Sequence, residues 1–334
     1  MPTSLRRRPG ILGECQIIWP NLCVFAAFHL LMPLALLPDY FSWTGVALVF
    51  LGNYVFGSLG VNIGFHRLLT HRSFQCPKWL EHGFALLGVC TLQDSPGRWV
   101  AIHRMHHQHA DETKDPHSPL VGFLWGHLGW LIIENRSISS QSLYEKYARD
   151  IFQDRFYLRL HRNQLWLWIY AAHAALFFCI AYGAGWLMRE SHDQALRFGL
   201  GIFLWGVVVR TVYVWHITWA VNSVTHLWGY RNYETGENSR NNWVVALLTN
   251  GEGWHNNHHQ SQRSASHGHR WWEIDLTYWT ILLLRKIGLA VDIVPVLNTD
   301  AGPPSKSATA SGFAMRRRPR LRAGAKLTPR HAGE

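Results

Sequence analysis

Charge is scarce in this chain. Only 16% of its 334 residues are Asp, Glu, Lys or Arg, against about a quarter in a typical soluble protein. What charge there is lies at the ends. Arg6, Arg7 and Arg8, together with eight Lys/Arg against the single acid Glu334 over 301–334, supply ten of the eleven net positive charges. The body is therefore near neutral, and the basic balance does not signal a nucleic-acid partner. Basic flanks beside apolar segments fit cytosolic ends held against anionic lipid, and a merely solvated tail is compatible with the same composition. Cysteine is also sparse. There are five, an odd number, with no CxxC pair, which argues against a disulfide framework or an iron–sulfur site and for reduced thiols. No dinucleotide-binding glycine fingerprint follows a strand-like run, and no internal repeat is evident beyond a pair of hairpins.

What is abundant is apolar residues in long runs. Hydrophobic residues make up 48% of the chain, including 18 Trp; the mean hydropathy of -0.06 hides this because polar loops dilute the runs. Four runs, about 17–37, 43–65, 165–188 and 198–221, are long enough to cross a bilayer. The second carries Gly52, Gly57, Gly60 and Gly64, small residues that let membrane helices pack closely. Residues 1–15 read as a basic arm (a signal peptide is a weaker fit, for want of a cleavage site), 16–297 as one membrane domain and 298–334 as a disordered basic tail. Residues 66–164 are mostly polar and too long for a simple loop; within them, 79–92 is amphipathic enough for the membrane interface. Arg210 lies inside the fourth run. An intramembrane cation is a functional candidate, although it can also pair structurally.

The residues that carry chemistry are histidines. His103-Arg104-Met105-His106-His107 and His255-Asn256-Asn257-His258-His259 repeat one HxxHH spacing, and His66 and His71 form a looser HxxxxH. One such box could be a satisfied polar cluster. Three beside apolar runs point to a single metal centre, because positions i, i+3 and i+4 share one side of a helix. Imidazole suits iron, zinc, copper or nickel, and so many ligands exceed what one ion can hold. With four crossings, all three boxes and both termini fall on one side, the side richer in Arg and Lys, which the positive-inside rule places in the cytosol. The Glu-x-x-His pairs of carboxylate di-iron bundles are represented only by Glu252 and His255. His29, His173 and His216 lie within the runs and read as packed polar residues, His109 as a neighbouring or surface residue, and His267 and His269 as non-ligands.

HRLLTH at 66–71, HRMHH at 103–107 and GEGWHNNHH at 251–259, with Asn222-Ser223-Val224-Thr225-His226-Leu227-Trp228-Gly229 and Asp115-Pro116-His117, resemble the membrane fatty acid desaturases of the stearoyl-CoA Δ9 type, in a bacterial-like form, over roughly 20–295. The resemblance implies an all-α integral membrane four-helix bundle with a cytosolic helical cap that carries a histidine-ligated di-iron centre. By motif it implies His66, His71, His107 and His259 on one iron, with Asn222 reaching it through water, and His103, His106, His226, His255 and His258 on the other. It further implies an O2-dependent reaction that removes hydrogen from two adjacent methylenes of a saturated acyl chain, on CoA or a lipid, and leaves a cis double bond at or near Δ9. Electrons would come from an external ferredoxin, rubredoxin or cytochrome with its reductase. The same scaffold could carry a lipid hydroxylase or ketolase. Arg98 and Arg104 could hold substrate phosphates or lipid head groups, and Trp205, Trp215 and Trp219 could line an acyl tunnel.

Overall fold

The computed structural model describes residues 16–188 and 191–296. The basic arm 1–15, the tail 298–334 and Arg189 of the second link lie outside the described residues. Among the described residues all regular structure is helical, and β pairing is limited to isolated bridges such as Ile17 with Ile133 and Gln75 with Val291. Four helices are long and apolar enough to cross a membrane: Trp19–Leu36, Trp43–Thr70, Arg155–Met188 and His192–His226.

Three of these outrun the lengths expected from hydropathy. The second span continues past Phe65 through His66 to Thr70, because its winding changes from α-type to i→i+5 turns over Asn53–Thr70. The third is preceded by helical residues from Arg155, with a kink at Asn163. The fourth starts at His192, where Ser191 caps the first turn by accepting from Gln194 N, and ends at His226. Polar residues at both ends of these helices conceal them from an apolar-run reading.

Burial separates the spans into two kinds. In their most apolar stretches the fourth is 72% and the second 50% buried, against 6% and 11% for the first and third. The second and fourth spans are therefore the inner pair, and their last turns carry His66 and His226. Lipid offers no hydrophobic drive for helix association, so close approach of small residues matters. A Cβ at Gly60 would stand 2.3 Å from Gly88 N and 2.5 Å from Leu87 C. This backbone-to-backbone contact seats the Lys78–Val89 helix on the second span. The inner face of that helix, Phe84, Ala85, Gly88 and Val89, is buried, while Trp79 is exposed.

Arg210 is fully buried. It donates to Cys90 O at 2.6 Å and Gly206 O at 3.0 Å, and its guanidinium lies 4.4 Å from the centre of the Phe56 ring. It ties the fourth span to the loop after the Lys78–Val89 helix. Trp205 packs beneath Gly45 and donates to Tyr40 O, which places it at the far end of the bundle, away from the histidines. On that far side Asp39 of the first link pairs with Arg197 at 3.1 Å.

Gly60→Val should overpack this seam by about 1–3 kcal/mol and lower the Tm of the purified protein by about 5 °C. Gly83→Ala, where a Cβ meets nothing within 4 Å, should leave the Tm unchanged. Equal behaviour of the two variants in a thermal melt would refute the seam.

Candidate metal centre

Each box is built on a short stretch of helix with its own reason to form. The second box ends the helix Pro96–His109, which starts with Pro at its first position and Ser95 as cap. The third box is the short helix His255–Gln260, too brief to stand alone. It is held by its asparagines. Asn256 Oδ1 accepts from the backbone N–H of Asn232 and of Tyr233, while Asn257 donates to His267 O and Glu273. Gly253 before it admits no Cβ, which would lie 2.1 Å from Ala246 N.

The histidines gather in two buried groups. His66, His71, His103, His107 and His258 bring their nitrogens within 4.8 Å of one another, and so do His106, His226, His255 and His259. The nine histidines singled out in the sequence come together, but their grouping in space differs from the division that the resemblance implies. His103 belongs with His66, His71 and His107, and His258 and His259 exchange places. The reason is helical azimuth. Within each HxxHH the i, i+4 pair shares a face and the i+3 residue diverges by about 100° from its neighbour at i+4. His103 and His107 therefore stay together and His106 crosses over; His255 and His259 stay together and His258 crosses back. Each HxxHH box thus contributes two histidines to one group and one to the other, and the HxxxxH box gives both of its histidines to the first group. The looser HxxxxH works for a different reason. In an α-helix residues five apart diverge by about 140°, but here His71 N bonds His66 O in an i→i+5 turn, and the two rings stand 4.8 Å apart.

Four carboxylates orient the rings from behind. His66 Nδ1 meets Glu252 Oε2 at 2.5 Å, His106 Nδ1 meets Asp115 at 3.0 Å and His226 Nδ1 meets Asp111 Oδ2 at 3.1 Å. His259 Nδ1 lies 3.5 Å from Glu237 Oε1. A carboxylate accepts from Nδ1–H, which leaves the Nε2 lone pair pointing inward, the usual arrangement around a metal-binding histidine. The inward nitrogens crowd together: His258 Nε2 is 3.1 Å from His66 Nε2 and 3.0 Å from His107 Nε2, and His255 Nε2 is 3.1 Å from His226 Nε2. His71, His106 and His259 keep buried Nε2 atoms with no hydrogen-bond partner. Buried, unpartnered Nε2 atoms converging beside further imidazoles are a fit for cations.

Electrostatics favour the neutral form of five of these histidines. Burial, reinforced by neighbouring imidazoles, pushes His71, His103, His107, His255 and His258 well below the usual histidine range, so they are neutral at pH 7. Burial would raise the carboxyls. Against it, His106 holds Asp115 down at about 2, and Arg67 with His267 and His66 holds Glu252 well below its range. Arg67 itself is fully buried and bridges Glu252 at 2.7 Å and Asp275 at 2.9 Å. This bridge locks the end of the second span to the third box.

The remaining candidates fall elsewhere. Asn222 is half-buried on a cavity of about 630 Å³ also lined by His66, His103, Trp215 and Trp219. Arg98 also lines it, paired with Asp94 at 2.8 Å and donating to Tyr144. Arg104 does not reach the cavity: it is buried and donates to Leu69 O, Thr70 O and Tyr147 O and pairs with Asp150. His109 pairs with Glu112 and His269 with Tyr233, outside both groups. His267 stands closer than expected, its ring 4.3 Å from that of His258 and its Nδ1 3.4 Å from Glu252. The sequence reading missed the orienting roles of Asp111, Asp115, Glu237 and Glu252. Asp115 was visible in the Asp-Pro-His run and Asp111 four residues past His107, but nothing local marks Glu237.

A family model for fatty acid desaturases matches residues 17–284. The chain is 44% identical to the sn-1 stearoyl-lipid 9-desaturase of Synechocystis sp. over 275 residues, 82% of this chain and 80% of that protein. It is 41% identical to the sn-2 palmitoyl-lipid 9-desaturase of Nostoc sp., covering 84% and 91%. It is 40% identical to the acyl-CoA C20 Δ5-desaturase of Anemone leveillei, covering 81% and 77%.

Asp115→Asn should weaken metal binding about 10- to 100-fold without unfolding the protein, as measured by metal retained against a graded chelator. Unchanged retention would reduce Asp115 to a structural role.

Proposed function

The chain belongs to the fatty acid desaturase family, an iron-using family of oxidoreductases, and from that premise we propose that it inserts a cis double bond at Δ9 into a saturated acyl chain carried on a membrane lipid. Two iron ions would be held, one by His66, His71, His103, His107 and His258, the other by His106, His226, His255 and His259, with Asn222 facing the space between them and the substrate. Bound iron would supply O2 activation and the oxidising power to remove hydrogen from unactivated methylenes. The overall change takes O2, two electrons and two protons, removes two hydrogens from adjacent carbons and yields two waters. The electrons would come from an external ferredoxin, rubredoxin or cytochrome.

The observation that carries this reading is the cavity. It borders the first histidine group through His66 and His103, and between its polar residues it presents a run of apolar side chains that includes Phe25, Val61, Trp215 and Trp219. A hydrocarbon chain is the ligand that such a wall accepts, and it would pass beside the inward nitrogens. Gly57, Val61 and Val214 line its deep part between the inner spans. The relatives that act on lipid-bound stearoyl and palmitoyl chains at position 9 support both the carrier and the position. The side of the membrane that holds the histidines is proposed to be the cytosol. Around them it carries Arg72, Arg98, Arg149 and Arg162, whereas the described far-side link residues include the single arginine Arg197.

Expression in a host with largely saturated lipids should produce a new Δ9 monounsaturated acid in the lipid-bound fraction, located by mass spectrometry and dependent on O2. His106→Ala and His258→Ala, one from each group, should each lose iron and reduce product at least about 100-fold, the scale of a catalytic group's contribution, while still inserting in the membrane. A hydroxy or keto product would replace desaturation with the alternative chemistry of the same scaffold. Full activity in either variant would refute the ligand assignment.

A further inference from the structure

The first span is fastened on one flank only. Toward the cap, Asn21 donates to Leu131 O at 2.7 Å, Ile18 N donates to Ile132 O at 2.7 Å and Ile17 bridges Ile133. Toward the fourth span, Phe25 and Phe28 pack their rings 5.0 and 5.2 Å from Trp215. Toward the third span, among the described residues, no hydrogen bond crosses. The aromatic contact between these two spans is Phe28 with Tyr170, at 6.2 Å between ring centres. Nearer the histidine end, the space between them belongs to the cavity. Asn21, Val24 and Phe25 form one wall, and Gln164, Trp166 and Leu167 form the other. Val24 is 37% exposed and Gln164 is exposed as well. The cavity therefore reaches the surface between two membrane spans, at the level where their cap-side ends meet the interface.

We infer that this gap between the first and third spans is a lateral portal through which the acyl chain of a bilayer-resident glycerolipid enters the cavity sideways, with its ester and head group left at the interface. Phe28 and Tyr170 form the floor of the portal. The roof is polar, with Gln164, Tyr144, His161 and the Asp94–Arg98 pair. Such groups suit the ester and glycerol region of a lipid lying at that depth, and the one guanidinium among them is already neutralised. A chain that remains attached to a membrane lipid cannot be threaded lengthwise through a solvent-facing hole, because its head group would have to leave the interface. A side opening removes that difficulty. The lipid moves within the plane of the membrane, and only its acyl chain leaves the hydrocarbon. The inference rests on the desaturase reading in taking an acyl chain as the ligand.

The test uses the full-length protein in vesicles and a stearoyl chain carrying a photoreactive diazirine, attached to a neutral glycolipid, to a phospholipid or to CoA. After photolysis, the lipid probes should label the peptides containing Val24 and Leu167, and unlabelled saturated lipid should compete. Leu167→Trp should cut that labelling about tenfold, the equivalent of ~1.4 kcal/mol of binding, and Val24→Trp on the opposite wall should do the same. Leu187→Trp, at an exposed site near the far end of the third span, should not. Metal content of each variant checks that the centre is intact. Labelling by the CoA probe in preference to both lipids, or labelling indifferent to both portal substitutions, would overturn the portal. Labelling needs no turnover, so a wild type that stays inactive when supplied with a reducing electron donor would overturn the desaturase reading and leave this experiment able to decide.

Discussion

Nine imidazoles in two touching groups cannot satisfy one another. Each neutral ring has one proton for two nitrogens, the outer nitrogen of several rings is committed to a carboxylate, the inner nitrogens crowd to about 3 Å, and the Nε2 atoms of His71, His106 and His259 are buried with no hydrogen-bond partner. In a buried setting such unsatisfied atoms are costly, and cations are what resolve the cost. Much of the architecture follows from bringing those nitrogens together. The inner spans must end at the same level, the second box must lie on a helix crossing them, and a six-residue helix must be stabilised from outside by asparagines. The Arg67–Glu252–Asp275 bridge joins two of these demands. One buried guanidinium fixes the end of the second span, and its partner carboxylate orients His66.

That these histidines would come together was legible because spacing survives folding: the boxes repeat, and their histidines all arrive in two adjoining groups. Its internal division was not. It depends on which way each ring leaves the helix axis and on whether the helix is α-type. The crossing of His106 and His258 follows from the 100° step once both helices are known to face each other, which no local pattern states. The pairing of His66 with His71 depends on i→i+5 winding that hydropathy does not register. The four spans were legible as apolar runs, but their functional ends were not, because the turns that carry His66 and His226 are polar and read as loop.

Cations show the same limit from another direction. Arg67, Arg104, Arg98 and Arg210 are equivalent letters in the sequence. Folded, Arg67 and Arg104 are buried ties between segments distant in the chain. Arg210 is satisfied by two carbonyls and an aromatic face inside the membrane. Arg98 alone faces the cavity, and Asp94 neutralises it. An arginine in an apolar run is a functional candidate until its donors are counted, and here the count assigns three of the four to structure.

The bundle divides its labour accordingly. The second and fourth spans carry His66 and His226, are the most buried, and are tied to the segments around the histidines by charged and amide networks. The first and third carry none and are mostly exposed to lipid. Rigidity at the centre and access to it make opposite demands on the same cavity, since a wall that orients histidines cannot also move aside for a hydrocarbon chain. Placing the ligands on the inner pair and the opening between the outer pair separates those demands. The first span can then remain fastened to the cap through Asn21 and to the fourth span through Phe25 and Phe28 while its other flank stays free. On the proposed reading, the position of the unsaturation would depend on two fixed levels: the interface, where the head group would stay, and the first histidine group, where the cavity passes His66 and His103.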